Sequence, residues 1–476
     1  MRLEGAQAYF AAAPAPTMSR AASLDRNPNL ASLDAAASAA PAQRLPALRY
    51  LGYGIGMVGE RLFRDAPALL LLLFMTDYLG IPPGLAGLAV FVPKIIVIVL
   101  DPLVGTLSDG LHTRWGGRRP LMLVGAVSTS VCMLALFHVP QLATPPLRAL
   151  YMGGVVTLGF GAYALFSVPY LSMASEIVSG VHERTKMMSF RVIFMAAGLT
   201  LGAFSGGIIQ WGGGGLRGYT FMSWLFAGVC LTTMLATVFS TGFAPQRQRA
   251  GDSLGLRAQL RLVAANERFR LLWLVGFLQK LGEGIGYGSF AYFCIYVVHQ
   301  PLDSLAFVVL AGTVAQTVVQ PIWIRATRHW SRPVLYTWGV IGWCVHLMIW
   351  LSMNGRPQWL LIPLGFLSGM ASGGFLMITL SMLSNSVADE SSRSGRNQEG
   401  IYSGFWLAGE KVAFALGALV VGLMLQAFGF VESTGGTQSA AQSKTAIFGI
   451  TLTYVGVNIL VWLGSTIPVW RYRRFE

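Results

Sequence analysis

The chain has 476 residues, of which 54% are hydrophobic and only 11% are charged. A soluble domain carries about 25% charged residues, so this composition excludes an ordinary water-soluble protein and indicates one that crosses a membrane many times. The net charge of +14 does not indicate nucleic-acid binding, because the arginines lie in short loops between apolar stretches, where they report membrane topology.

The six histidines form no HxxxH or HExxH motif, so a metal-dependent enzyme has no support. The four cysteines lie inside apolar stretches, and we expect them to be small packing residues. We therefore predict neither an enzyme nor a cofactor. A membrane enzyme or sensor would also need a nucleophile–base pair or a sizeable soluble output domain, and the sequence indicates neither.

Residues 1–46 are rich in Ala, Pro and Ser and contain no apolar run of signal-peptide length. They are predicted to form a disordered cytoplasmic tail. After them, stretches of about 20 or more apolar residues, each long enough to span a bilayer, recur twelve times. The predicted spans are 48–80, 83–108, 119–140, 147–176, 185–211, 218–243, 268–299, 302–325, 332–353, 358–388, 397–430 and 445–471.

The loops between these spans alternate between arginine-rich and arginine-poor. The positive-inside rule then places both termini and the long loop 244–267 in the cytoplasm, with the chain in the inner membrane. We expect a monomer of two six-helix bundles, residues 47–243 and 268–476. Asp101-Pro102 and Gln320-Pro321, each followed by a basic loop, are a weak internal repeat of the kind found in transporters.

The first span contains GERLFRD, residues 59–65. Glu60 with Arg64, and Arg61 with Asp65, have the i,i+4 spacing of ion pairs on one helix face. Two interpretations remain open: the four charges neutralise one another as structural pairs, or Arg61 and Glu60 contact a substrate.

The second span opens with KIIVIVLDP, where Lys94 and Asp101 interrupt an apolar run. An ionised side chain at the bilayer centre costs roughly 2.5–3.5 kcal/mol, so such residues are expected to face a cavity or a partner. Seven residues apart, the two lie on one helix face. Two turns rise about 10 Å, which disfavours direct pairing. The open alternatives are a cation-coupling site and a structural role.

The loop after the second span reads GTLSDGLHTRWGGRRP, residues 105–120. Asp109 at the helix end and the cations Arg118 and Arg119 are predicted to form one side of a cytoplasmic gate. Asp389 and Arg396, near the start of the eleventh span, are the predicted other side. A topology signal and a solvated loop are the alternatives.

The seventh span contains LQKLGEGIGYGSFAYF, with Lys280 and Glu283 one turn apart. Its run of alternate glycines predicts either close helix packing or a local break. Glu283 and Tyr287 are candidate substrate contacts. In the eleventh span, Glu410 and Lys411 point about 100° apart, so we expect Lys411 to face the cavity and Glu410 to pair with another helix.

Four stretches together resemble the glycoside–pentoside–hexuronide:cation symporters, the melibiose-carrier group of the major facilitator superfamily. They are DPLVGTLSD with RWGGRRP, YALFSVPYLSMASEI, HERTKMMSFR and NQEGIYSGFWLAGEKVAFALG. The resemblance covers most of residues 48–471. It implies an all-α membrane protein of twelve helices that moves a sugar-like solute together with a cation.

Residue by residue, the resemblance is partial. Asp101 matches the second of two helix-2 acids that help to bind the family's coupling cation, but Val97 stands at the first. Ser167 replaces a further acid. A single carboxylate is a poor cage for Na⁺, so the resemblance favours H⁺ on Asp101, with Lys94 matching a basic position.

For the solute, Arg191 and Lys411 match basic positions, whereas Arg61 and Leu171 replace the family's aspartate and aromatic residue. Tyr170 and Trp406, within the matching stretches, complete the predicted substrate-binding set. This cationic pocket favours an anionic solute such as a uronide, with neutral glycosides open. The alternative within the same fold is a carrier or exporter of an amphipathic solute such as a lysolipid or a drug.

Overall fold

The computed structural model describes residues 46–111, 113, 115, 118–177, 181–242, 256–301, 303–394, 399–433 and 441–475. All but the last residue of the predicted tail lies outside these ranges. The α-helices are α1 Ala47–Gly54, α2 Gly56–Asp77, α3 Pro83–Gly110, α4 Arg118–Phe137, α5 Pro145–Ile177, α6 Val181–Ala203, α7 Ser205–Trp211, α8 Gly215–Ser240, α9 Leu256–Ala265, α10 Glu267–Tyr292, α11 Ser304–Val318, α12 Gln320–Ala326, α13 Arg332–Trp350, α14 Leu361–Ser394, α15 Glu399–Ala427, α16 Lys444–Thr451 and α17 Asn458–Tyr472.

Each of the twelve predicted spans is occupied by helix. Among the described residues, nine helical segments are long and apolar enough to cross a membrane, and the bent pair α11–α12 makes a tenth candidate. The remaining two span positions are α2, with 22 residues, and α10, with 26 residues. These two helices carry the charged motifs GERLFRD and LQKLGEG, which lowers their hydropathy. The predicted all-helical membrane protein is confirmed.

Several spans are irregular, among them the seventh, the eighth and the last. The eighth bends by 44° between α11 and α12, at Val319 and just before Pro321. Proline lacks the amide proton that would continue the helix, and its ring clashes with the preceding turn. α10 continues as a π-helix over Phe293–Val298, and the last span contains a second π-helix over Leu452–Val457. Phe293 and Tyr454, one from each π-helix, stack with ring centroids 4.4 Å apart.

The long central loop also contains a helix. α9, with sequence LRAQLRLVAA, falls inside the predicted loop 244–267. Leu262 and Val263 pack against the hydrophobic core of the second half of the chain. The apolar side chains at helical spacing explain why this segment folds onto the protein.

Three helix pairs join the first half of the chain, residues 46–242, to the second half, residues 256–475. They are α3 with α15, α2 with α10, and α6 with α11. At one end of the α3–α15 pair the backbones touch, since a Cβ on Gly422 would lie 2.4 Å from the Pro83 carbonyl oxygen. Toward the other end, a Cβ on Gly404 would meet no heavy atom within 4 Å. We call the end at Pro83 and Gly422 the closed end.

Candidate functional site

An ion pair lies between the two halves of the chain. Lys411 on α15 donates a hydrogen bond to the carboxylate of Asp101 on α3. The Asp101 side chain is 19% exposed and that of Lys411 47% exposed, so the pair faces accessible space. The structure thus brings the predicted coupling residue and a predicted substrate residue together in one contact.

Lys94 lies two turns from Asp101 on the same helix and does not pair with it. Its ammonium group is 5.1 Å from the ring centroids of both Phe160 on α5 and Phe414 on α15. Among the described residues, no carboxylate lies within 4 Å of its nitrogen. Cation–π contacts of this kind stabilise an ammonium group by roughly 0.5–2 kcal/mol. Sequence reasoning missed both rings, although Phe414 follows Lys411 by three positions and therefore shares its side of α15.

The charged motif of α2 forms one of its two predicted pairs. Arg61 and Asp65 lie 2.9 Å apart, as the i,i+4 spacing predicts. The predicted Glu60–Arg64 pair is wrong, because Arg64 instead binds the other oxygen of Asp65 at 2.9 Å. Glu60 points toward α5 and α6, where Tyr163 donates a hydrogen bond to it at 2.9 Å. Tyr163 is another contact that the spacing rules could not find.

Arg191 is held by its own half of the chain. Its guanidinium lies 3.9 Å from Glu60, 3.0 Å from the sulfur of Met57, and over the ring of Tyr170. Tyr170 is fully buried, and its hydroxyl donates to the carbonyl of Tyr53 at 2.8 Å. Both predicted substrate residues therefore have partners within the packed interface of α2, α5 and α6.

On α10, Lys280 and Glu283 form a 2.6 Å ion pair. Glu410 on α15 is close enough to Lys280 to interact with it electrostatically, but the two do not form an ion pair within 4 Å. Tyr287, one turn beyond Glu283, lines a small cavity together with Lys94 and Phe414.

Trp406 is not in that cavity. It is 5% exposed, and its ring packs where a Cβ on Gly276 would lie 2.5 Å away. It therefore joins α15 to α10 through packing.

Two of the predicted gate residues, Asp389 and Arg119, have partners within their own half of the chain. Asp389 lies 3.2 Å from Arg268 at the start of α10. The Arg119 guanidinium donates to the carbonyl of Val238 at 3.0 Å, and Arg118 begins α4. The side chains of Asp109 and Arg396 lie outside the described residues.

The charge balance of the site is uneven. When the predicted gate residues and their partners are left aside, the ionisable side chains described above on α2, α3, α6, α10 and α15 are six cations and five carboxylates. The cations are Arg61, Arg64, Lys94, Arg191, Lys280 and Lys411, and the carboxylates are Glu60, Asp65, Asp101, Glu283 and Glu410. Of these six cations, Lys94 is the one without an ion pair within 4 Å among the described residues.

The position one turn before Asp101 is apolar. Val97 is 6% exposed and packs with Val104 and Ala164. In the described part of the chain, no group of three or more His, Cys, Asp or Glu side chains is arranged to hold a metal ion.

Two solved structures share this arrangement of helices. A bacterial homologue of the human lysosomal transporter Spinster, inward-facing and unoccupied, superimposes with a TM-score of 0.65 at 11% identity, over 90% of this chain and 99% of that chain. The nucleoside transporter NupG superimposes with a TM-score of 0.61 at 15% identity, over 89% and 99%. At these identities the likeness shows the fold alone, which is that of the major facilitator superfamily.

Sequence comparison narrows the family. The family model described as MFS/sugar transport protein matches residues 52–473. The isoprimeverose transporter of Lactiplantibacillus pentosus is 24% identical, over 85% of this chain and 84% of its own. The inner membrane symporter YicJ of Escherichia coli (strain K12) is 24% identical, over 89% and 90%. The chain therefore belongs to the glycoside–pentoside–hexuronide:cation symporter family of the major facilitator superfamily, whose members are multi-pass secondary transporters and not enzymes.

Proposed function

We propose that this transporter moves a sugar-like solute carrying a negative charge, such as a uronide, together with a proton, by alternating access. The observation that carries the proposal is Lys94, the site cation without an ion-pair partner among the described residues. Lys94 interacts electrostatically with Asp65 but forms no ion pair within 4 Å among the described residues, so a solute carboxylate would be its first direct ionic contact.

The coupling proton binds Asp101. In the described state, the Asp101 carboxylate is ion-paired with Lys411 across the two halves. Protonation removes the negative charge, so the attraction that holds α3 to α15 at this point is lost. A ligand that binds one conformation better shifts the population toward it, and a proton acts here in that way. Val97 supplies no second carboxylate, which favours H⁺ over Na⁺.

The solute binds beside Lys94. Its carboxylate contacts the ammonium group, and hydrogen bonds between ionised groups are roughly twice as strong as neutral ones. Tyr287, Phe160 and Phe414 lie around the same nitrogen and offer aromatic faces and a hydroxyl to the sugar ring. Arg64, whose side chain is 40% exposed, adds a second positive group on α2.

In the proposed orientation both termini face the cytoplasm of a cell whose inner membrane holds the protein. The arginine-rich loops support this orientation through the positive-inside rule. The closed end then faces outward, and the protein is in its inward-facing state. We also propose that the two halves of the chain are two six-helix bundles, in a monomer, that rock about the site.

Uptake measurements in sealed vesicles test the proposal. The purified transporter is reconstituted, and accumulation of a radiolabelled uronide and of its neutral glycoside is driven by either a pH gradient or a sodium gradient. We expect accumulation of the uronide under the pH gradient. Equal accumulation of both solutes would contradict the role of Lys94, and accumulation driven by sodium alone would contradict proton coupling.

A further inference from the structure

A buried carboxylate lies at the closed end, far along α2 from the charged motif. Asp77 is the last residue of α2 and is 6% exposed. The Tyr296 hydroxyl donates to one of its oxygens at 2.6 Å, and the Thr76 hydroxyl donates to the other at 3.0 Å. Tyr296 belongs to the π-helix that follows α10, so this bond joins the two halves of the chain.

Further contacts surround this carboxylate. The hydroxyls of Thr76 and Tyr292 are 2.8 Å apart. Ser433, beyond the end of α15, donates through its hydroxyl to the backbone carbonyl of Asp77 at 2.6 Å and through its amide to that of Thr76 at 3.1 Å. The end of α2 is therefore held by two separate segments of the second half of the chain.

The groups that face Asp77 are tyrosines and a threonine. Besides Tyr292 and Tyr296, the titratable residues around it include Tyr78, the next residue in the chain, and Tyr219 on α8. Among the described residues, no lysine, arginine or histidine forms an ion pair with it. The guanidinium of Arg148 on α5 donates instead to the carbonyls of Leu79 and Leu142.

Other titratable residues at this end include His299, just after the π-helix, and Glu432, beside Ser433, and both are exposed. Among the described residues, the side chains that hydrogen-bond to the buried Asp77 carboxylate are hydroxyl donors. Ionised, the carboxylate accepts two hydrogen bonds that are strengthened by its charge, and the one from Tyr296 is short at 2.6 Å. Protonated, it loses that charge and turns one acceptor oxygen into a donor, which competes with the Tyr296 and Thr76 hydroxyls.

The geometry points to Asp77 as a second proton-binding site, separate from Asp101, whose ionised form locks the closed end and whose protonation releases it. The lock is local, because it depends on a bond between α2 and the π-helix and on no solute. The segment that carries Tyr296 departs from a regular α-helix, since it is π-helical and ends at His299 in a left-handed conformation with φ of 55°. π-Helical turns are frequent at functional sites.

In the proposed orientation this end faces outward, so external protons would reach Asp77 before Asp101. Acidification outside would then favour the state that admits a proton and a solute together. The direction of the pH effect follows from the ionisation of Asp77: high pH stabilises the closed end, and low pH opens it.

Distance measurements by double electron–electron resonance test the lock without any transport assay. Spin labels are attached at Ala143→Cys and Asn354→Cys, two exposed positions near the closed end in opposite halves of the chain, after the four native cysteines are replaced by serine. We expect the wild-type distance distribution to shift to longer values on moving from mildly alkaline to mildly acidic pH. The Asp77→Asn variant should show the longer distances at both pH values, because asparagine has no charge to lose.

Tyr296→Phe should also show the longer distances at both pH values. Tyr292→Phe is the matched control: it removes a hydroxyl from the same cluster without touching the carboxylate, and its pH response should survive. Asp101→Asn should also keep the pH-dependent shift in distance. A failure of proton coupling at Asp101 would therefore appear in the uptake assay, whereas a failure of the lock would appear in the distance measurement. A wild-type distribution that does not change with pH, or an Asp77→Asn variant with the wild-type response, would overturn the proposal.

Discussion

Lys411 and Asp101 form an ion pair across a separation of 310 residues in the chain. The pair links α15 to α3 between the two halves. The two helices meet tightly at the closed end, and the pair lies toward the opposite end, near Gly404. The strength of the ion pair therefore affects how far the helices separate there. In the proposed mechanism, proton binding to the Asp101 carboxylate removes this contact between the two helices.

Neutralising Asp101 should uncouple transport. In the Asp101→Asn variant we expect uphill uptake driven by a pH gradient to be lost, because no proton can be gained or released at the pair. Exchange of solute across the membrane, which needs no net proton movement, should be retained. Both are measured in proteoliposomes with and without a pH gradient.

Asp101→Glu is the matched control for that variant, since it keeps a titratable carboxylate on α3 and should preserve part of the accumulation. Full pH-driven accumulation by Asp101→Asn would show that the coupling proton binds elsewhere.

Removing the charge of Lys94 should weaken binding of an anionic solute selectively. A hydrogen bond to a charged group contributes about 1.5–3 kcal/mol, so Lys94→Gln should raise the KM for a uronide by roughly 10- to 100-fold. The KM for the neutral glycoside should change little. Lys94→Arg retains the positive charge and serves as the control. An equal rise in KM for both solutes would indicate that Lys94 supports the helix packing and does not recognise charge.

The membrane spans could be predicted from the sequence because the bilayer imposes one requirement on each of them. A stretch such as 358–388 must be apolar over its whole length, and no tertiary contact is needed to recognise it. The irregular helical turns were harder to predict from the sequence. The bend before Pro321 has a local cause, but the π-helix at Phe293–Val298 does not, since its sequence FCIYVV shows no break.

The charged residues of the candidate site could be picked out from the sequence, but most of their partners could not. Spacing found the Arg61–Asp65 pair because both residues lie on one helix. It failed for Glu60, whose partners Tyr163 and Arg191 are brought together by the packing of three helices. Lys411 was predicted to bind a solute from its match to a family position, and its contact with Asp101 depends on two helices that are distant in sequence.

The glycine run of α10 allows close packing, and of its two predicted roles this is the one the structure displays. A Cβ on Gly284 would lie 2.3 Å from the carbonyl oxygen of Phe414, and one on Gly417 would lie 2.4 Å from the carbonyl carbon of Gly284. Backbone atoms cannot turn away, so Gly284→Ala must push α10 from α15. Overpacking of this kind costs about 1–3 kcal/mol, and we expect a lower Tm in thermal unfolding of the purified protein.

Gly286→Ala tests whether this effect depends on position. It lies in the same glycine run, but a Cβ there would meet only the side-chain amide of Asn458, at 3.4 Å. We expect a Tm close to that of the wild type. Similar losses for Gly284→Ala and Gly286→Ala would mean that the helix backbone and not the α10–α15 contact determines the effect.

Arg191 should contribute to stability through Glu60. Removing one member of a buried pair leaves an uncompensated charge, which costs about 3–5 kcal/mol. With side chains only 17% and 8% exposed, Arg191 and Glu60 are buried enough for this effect, although their 3.9 Å separation favours the lower end. Arg191→Met should therefore lower the Tm clearly. The double variant Glu60→Gln, Arg191→Met should recover much of it, because the glutamine amide is neutral and its oxygen can still accept the Tyr163 hydrogen bond. If Arg191 instead serves only to bind the solute, Arg191→Met will keep the wild-type Tm and raise the KM. Adding Glu60→Gln will then not restore the KM.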